Sequence, residues 1–243
     1  MKNKYRDAEM ISLNEEELLI VACDSCGGIG EKIGDAIKAL PFIVGKYTAR
    51  VSLMEVLSLG GKIISITANI CSEPNPTGME ILKGIKSELK ECNLEVPIVI
   101  STEKNIPTSM TALGTTVMGI CKRSEVLLNR SSAKDFVYAI GVPKVGEEVA
   151  MDRGEIANMP VLLNLLKMKN VKEMIPVGSL GIQGELNKLL KANNLNIKYA
   201  KKIELNLEKT AGPCTVLLVI SDGQLECHMD VPKNFIGELI EMP

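Results

Sequence analysis

One stretch of this chain constrains its architecture more than any other. Leu18-Leu19-Ile20-Val21-Ala22-Cys23 is an unbroken apolar run, and Gly27, Gly28, Gly30 and Gly34 follow at once. A run that short, stopped by glycines, reads as a buried strand emptying into a tight turn. Ile43, Tyr47, Val51, Met54 and Leu57 then recur every three or four residues, the spacing of one helix face, and Gly60-Gly61 ends them. Lys62 to Ile70 alternates toward β. Past Pro74 and Pro76, Thr77-Gly78-Met79-Glu80 has the form of a capping box, with Ile81, Ile85 and Leu89 at helical spacing behind it. Val96–Ile100 and Thr115–Ile120 read as strands, so the first half runs β-α-β.

The polar stretch Asn129-Arg130-Ser131-Ser132-Ala133-Lys134 is the candidate boundary, giving domains 1–130 and 131–243. Beyond it come a strand (Phe136–Ile140) and helices around Pro160–Lys169 and Ile182–Ala192. Last, Val216–Ser221, Asp222-Gly223 and Gln224–Val231 read as a hairpin closed by a two-residue turn. The 243 residues fit one or two domains. The expected fold class is α/β with mixed α+β sheets, in two subdomains with helices on one face of each sheet.

Composition removes several functions. Lys plus Arg number 28 against 30 for Asp plus Glu, and aromatics are 3% with no Trp. Such a chain lacks both the cationic excess and the stacking surfaces that nucleic acid binding needs. No apolar stretch approaches the roughly 20 residues that cross a bilayer. The charged and polar start, Met1 to Met10, does not read as a secretory signal, and seven scattered cysteines suit a reducing cytoplasm. The single histidine, His228, limits mechanisms that need imidazole, and a structural or exposed role is its expected one.

Gly28-x-Gly30 matches neither familiar phosphate loop: position 33 is Ile33, and Gly-Lys-Ser/Thr is absent. What remains is Asp24 at the mouth of a strand, glycines, then Lys32. Glycines admit backbone N–H groups to a phosphate, an acid holds a hard cation, and a lysine adds charge; the other reading is a plain turn with a solvated lysine. Cys23-Asp24-Ser25-Cys26 is a Cys-x-x-Cys pair with no second pair for zinc and no helix starting behind it, which favours two packed thiols over a redox or metal pair. Glu55 lies beside the apolar stripe of its helix, either as a boundary acid or facing a metal. Ser101 to Thr108 is an oxygen-rich loop after a strand, the place where small ligands bind in α/β proteins, or simply a polar loop.

Together, Cys23-Asp24-Ser25-Cys26-Gly27-Gly28-Ile29-Gly30-Glu31-Lys32, Leu53-Met54-Glu55-Val56-Leu57 and Gly60-Gly61-Lys62 resemble the aminoimidazole ribonucleotide synthetase (PurM-like) superfamily. Its members use ATP and magnesium to activate an oxygen or to phosphorylate a small molecule. Within it, Tyr47-Thr48-Ala49-Arg50-Val51, Pro76-Thr77-Gly78, Ser101 to Thr108 and Pro176 to Ile182 are similar to the α-ribazole kinases of cobamide salvage. The helical acid is Glu55 where the superfamily has Asp after Asn, and the acidic loop falls near Ser101-Thr102-Glu103.

The resemblance implies ATP and Mg2+ as cofactors and a cytoplasmic homodimer acting on a riboside-like small molecule. It implies Asp24, Lys32 and Glu55 as catalytic, and Gly27, Gly28, Gly30, Lys32, Arg50 and Asn69 around ATP. Asp24, Glu55 and Glu103 would then hold magnesium, and Glu73, Thr102, Ser179 and Gly181 the acceptor. The alternatives are another kinase or synthetase of the superfamily, such as thiamine-phosphate kinase, a non-catalytic small-molecule-binding relative, and a dithiol protein using Cys23 and Cys26.

Overall fold

The computed structural model describes residues 7–226 and 229–242. The chain forms two compact units, one from Asp7 to Leu57 and Gly61 to Ser124, the other from Ser58 to Gly60 and from Glu125 onward. His228 lies outside the described residues.

The first unit comprises β1 (Ala8–Ser12), β2 (Glu17–Gly27), β3 (Ile29–Gly30), β4 (Ile37–Lys38), α1 (Pro41–Ser58), β5 (Lys62–Ile70), α2 (Met79–Glu91), β6 (Ile98–Thr102) and β7 (Ala112–Lys122). The large sheet runs β1-β2-β7-β5-β6. Its pairs are antiparallel except β5–β6, whose parallel crossover is α2. β2 and β5 run the same way with β7 between them, so the expected β-α-β order holds. β3 and β4 form a separate parallel pair.

Alternation decides which face is covered. Leu18, Ile20 and Ala22 on β2 share a face with Thr115 and Val117 on β7 and Ile66 and Ala68 on β5, all buried. α1 lies on this face: Ser52 Oγ sits 3.0 Å from Thr115 Oγ1, and Thr115 Oγ1 donates to the Thr48 carbonyl at 3.0 Å. The stripe of α1 that meets the sheet is therefore Val44, Thr48, Ser52 and Val56. The apolar periodicity pointed instead to Ile43, Tyr47, Val51, Met54 and Leu57, of which Met54 and Leu57 are buried and the other three only half-buried. Two hydroxyls hid the inner stripe from a hydrophobicity reading, because each is satisfied inside the fold.

The other side of α1 is occupied by α2. Arg50 and Glu88 form a buried ion pair, Nε to Oε1 2.6 Å and Nη2 to Oε2 3.2 Å, with Lys46 bonded to Glu91 at the same junction. Glycines let the helices touch: a Cβ on Gly45 would stand 2.0 Å from the Ile81 carbonyl oxygen, and one on Gly84 2.0 Å from that of Phe42. The capping box does not form. Thr77 belongs to a turn (Pro74–Gly78) kinked at the extended Asn75, its hydroxyl turns back to Glu73, and Gly78 stands at the α2 N-cap with no side-chain cap.

The second unit comprises β8 (Phe136–Gly141), α3 (Glu147–Ala150), α4 (Met159–Leu166), β9 (Val171–Val177), α5 (Gly181–Asn193), β10 (Leu195–Tyr199), β11 (Val216–Ser221) and β12 (Lys233–Glu241). Its sheet, β10-β12-β8-β11-β9, is antiparallel throughout. Ile182, Leu186 and Leu189 of α5 pack with Val137, Ile175, Leu218 and Ile236 as one core. The stretch Asn129–Lys134 is pinned within this unit: the buried Glu173 carboxylate accepts from Arg130 N, Ser131 N and Ser131 Oγ.

The terminal hairpin is overturned. β11 pairs with β8 and β9, and the strand after it is β12, which pairs with β8 and β10. Residues 224–226 and 229–232 carry no strand, and Asp222 N donates to Asn170 O at 2.8 Å. Asp222-Gly223 makes only a bend, and β12 pairs on the far side of β8 instead of beside β11. β8 displaces the local partner because its apolar residues 137–140 are buried between β11 and β12.

Candidate functional site

β2 continues through Asp24 to Gly27, paired with β7 residue by residue, so Asp24 lies within the strand and not at its mouth. Asp24 pairs with Thr115 on the α1-covered face, and burial raises its pKa to about 6, against a hydrogen bond from the Ser25 backbone. Cys26, two residues on, shares that face. Burial pushes its thiol up, the Asp24 charge adds to this, and a hydrogen bond with Thr48 opposes it. Cys23 is exposed on the other face. Three strand steps of about 3.3 Å separate the two cysteines by roughly 10 Å, beyond the ~7 Å limit for a disulfide. That removes the dithiol reading and leaves two unjoined thiols.

The glycine turn is held from inside by a residue that pattern reading passed over. Asp35, 5% exposed, accepts from Thr111 N (2.7 Å), Thr111 Oγ1 (2.8 Å) and Lys32 N (2.8 Å). Those bonds hold its carboxyl below the usual range despite burial working the other way. Gly30 packs against this knot, where a Cβ would meet Thr111 Oγ1 at 2.3 Å and Asp35 Oδ2 at 2.6 Å. Gly28 has φ +72°, and its N–H goes to the Thr111 carbonyl at 2.9 Å, so this amide is engaged by the protein itself. The sequence signal for the knot is Lys32-x-x-Asp35, an acid placed to receive the N–H three residues before it.

The turn delivers Lys32. Its Nζ lies 2.5 Å from Glu73 Oε2 and 3.2 Å from the Thr108 carbonyl, with the side chain 17% exposed. Thr77 Oγ1 donates to Glu73 Oε1. Burial opposes the Glu73 charge, yet Lys32 and Thr77 bring its pKa down to about 2. The turn after β2, the loop after β5 and the loop before β7 thus converge on one ammonium. Ser72 Oγ and Thr108 Oγ1 are buried beside these groups with no hydrogen-bond partner.

The remaining expected residues disperse. Arg50 faces Glu88 and stacks over the Tyr47 ring at 4.6 Å; burial works against its charge, but Glu88 holds its pKa above the usual value. In this structure it joins the two helices. Asn69 follows Ala68, which shares Asp24's face, so it projects exposed from the opposite face. Glu55 is 5% exposed within α1. Glu103 caps its own loop, accepting from Asn105 N at 2.7 Å and Ile106 N at 3.1 Å, which lowers its pKa.

Among the described residues no three His, Cys, Asp or Glu side chains are placed to hold a metal ion, so Asp24, Glu55 and Glu103 do not gather as expected. The donor set does not fit a protein-built magnesium cage. Thr102 ends β6, with its methyl 3.5 Å from where a Gly78 Cβ would stand. Gly27 closes β2 with open space around it. In the second unit Ser179 is exposed on the loop before α5, and Gly181 starts that helix with φ +68°.

No family model and no curated protein matches this sequence. Solved structures do. Thiamine monophosphate kinase from Aquifex aeolicus matches with TM-score 0.68 at 14% identity, over 99% of this chain and 90% of that one. AaThiL complexed with AMPPCP and TMP matches with TM-score 0.67 at 14% identity, over 100% of this chain and 87% of that one. Phosphoribosylformylglycinamidine synthase II from Thermotoga maritima matches with TM-score 0.61 at 15% identity, over 96% of this chain but only 36% of that one. Identity this low shows the fold. The chain has the mixed α+β fold of thiamine monophosphate kinase, and mixed α+β was expected.

Proposed function

We propose that this chain uses ATP to phosphorylate a small molecule, with Lys32 meeting the nucleotide phosphates. The observation that carries the reading is the Lys32 ammonium, presented by a glycine turn at the end of β2 and held where three segments meet, with Lys38 Nζ donating to the Lys32 carbonyl at 2.6 Å. Phosphoryl transfer asks a protein chiefly for positioning and charge neutralisation, and a lysine fixed by its backbone supplies both. A Cβ added at Gly27 would meet nothing within 4 Å. Asp24, within β2 three residues before the turn, is the acid best placed by sequence to serve the same ligand. No step is assigned to a protein-held magnesium ion.

Two acceptors compete. The motifs resemble those of α-ribazole kinases, whereas the matched structures favour a thiamine-phosphate-kinase type of reading. Mixing the protein with ATP and each acceptor, α-ribazole and thiamine monophosphate, and measuring ADP decides between them. A second reading, ligand binding without turnover, is supported by the ungathered acids; ATP binding with no ADP from any acceptor would establish it. A homodimer is supported by the uncovered sheet face of the first unit, where Leu19, Val21, Met118 and Ile120 are half-buried and Ile11 and Val99 exposed. A solution mass near the 26.3 kDa of one chain would refute it.

No helix among the described residues is long and apolar enough to cross a membrane.

A further inference from the structure

We propose that Glu73 acts as a charge filter on Lys32: it occupies the ammonium in the free protein, so that an anion displaces it more readily the more negative charge it carries. The inference rests on the phosphate-binding reading of Lys32. Two of the three ammonium hydrogens already have acceptors, Glu73 Oε2 and Thr108 O. An incoming singly charged anion must therefore exchange one carboxylate contact for an equivalent one and gains little. A di- or triphosphate brings more charge than the carboxylate it replaces and prevails by Coulomb attraction.

Both partners of the pair are anchored by their own segments. Lys32 N is tied to Asp35, Thr77 holds the second Glu73 oxygen, and Gly78 N donates to Glu73 O at 3.0 Å. A pair of this kind loses less side-chain freedom than an ordinary surface ion pair and persists in the absence of ligand. The surroundings also leave hydrogen-bonding capacity unused. Ser72 is fully buried beside Glu73 with its hydroxyl unpartnered, and the Thr108 hydroxyl is unpartnered beside the carbonyl that receives Lys32. Unmade bonds on both flanks of the clasp favour a second arrangement, in which Glu73 has moved aside and these hydroxyls find partners.

The test compares wild type with Glu73→Gln, titrated with ATP, inorganic tripolyphosphate and inorganic phosphate. Alongside, Lys32 acetylation by an amine reagent is mapped by mass spectrometry, and thermal melts confirm that both proteins are folded. The expected result is at least tenfold tighter phosphate binding by the variant, a narrower preference for tripolyphosphate over phosphate, and several-fold faster Lys32 acetylation. Equal preferences in the two proteins overturn the filter, as does weaker binding of every anion by the variant, which makes Glu73 a positioning residue. If neither protein binds ATP or tripolyphosphate, the phosphate reading fails and takes the filter with it. Intact ATP binding with unchanged Lys32 reactivity sinks the filter alone.

Discussion

At the scale of single residues, Asp24 and Lys32 show how differently a sequence discloses its charges. Both were visible from the strand–glycine–lysine order, because that order is local and the turn it encodes forms. Asp35 and Glu73 were less visible, since their meaning lies in Thr111 and Lys32, which are 76 and 41 residues away. Asp24 carries a measurable consequence. Its folded pKa, about 6, exceeds the unfolded value near 4, so its protonated form is favoured by folding. That stability is present below pH 4 and is lost as pH rises through 6. Asp24→Asn should therefore melt higher than wild type at pH 8, by about 1–2 kcal/mol after allowing for partial exposure, and equally at pH 4. An identical pH dependence in both proteins would show that Asp24 is well solvated.

At the scale of elements, most strands and helices were legible where apolar spacing dominates, and two errors share one cause. The inner stripe of α1 contains Thr48 and Ser52, and the partner of β11 is the distant β8; in both cases tertiary contacts outweighed the local pattern. The edge strands β1, β9 and β10 escaped for the same reason, since their identity comes from neighbours across the sheet. The α1–α2 contact is where packing is least forgiving. Gly84 stands mid-helix at some cost in propensity, and its Cβ position is filled by Phe42 O and Lys46 N. Gly84→Ala should destabilise by about 2–3 kcal/mol in denaturant melts, despite the better helix propensity of alanine. A stabilised variant would mean that the helices stand further apart than this.

At the scale of the whole molecule, the fold class was readable because glycine turns and alternating strands repeat a familiar order. The site was only half readable. Acids spaced widely along a chain do not disclose whether they converge, and here one is buried in α1, one caps its own loop, and one sits on a strand. What converges is a lysine, a glutamate and a threonine. The account therefore stands on Lys32, and calorimetric titration of ATP into wild type and a folded Lys32→Met variant tests it most directly. Measurable binding by wild type and at least tenfold weaker binding by the variant are expected, since a charge-assisted phosphate contact contributes about 1.5–3 kcal/mol. Equal affinities in the two proteins would contradict it.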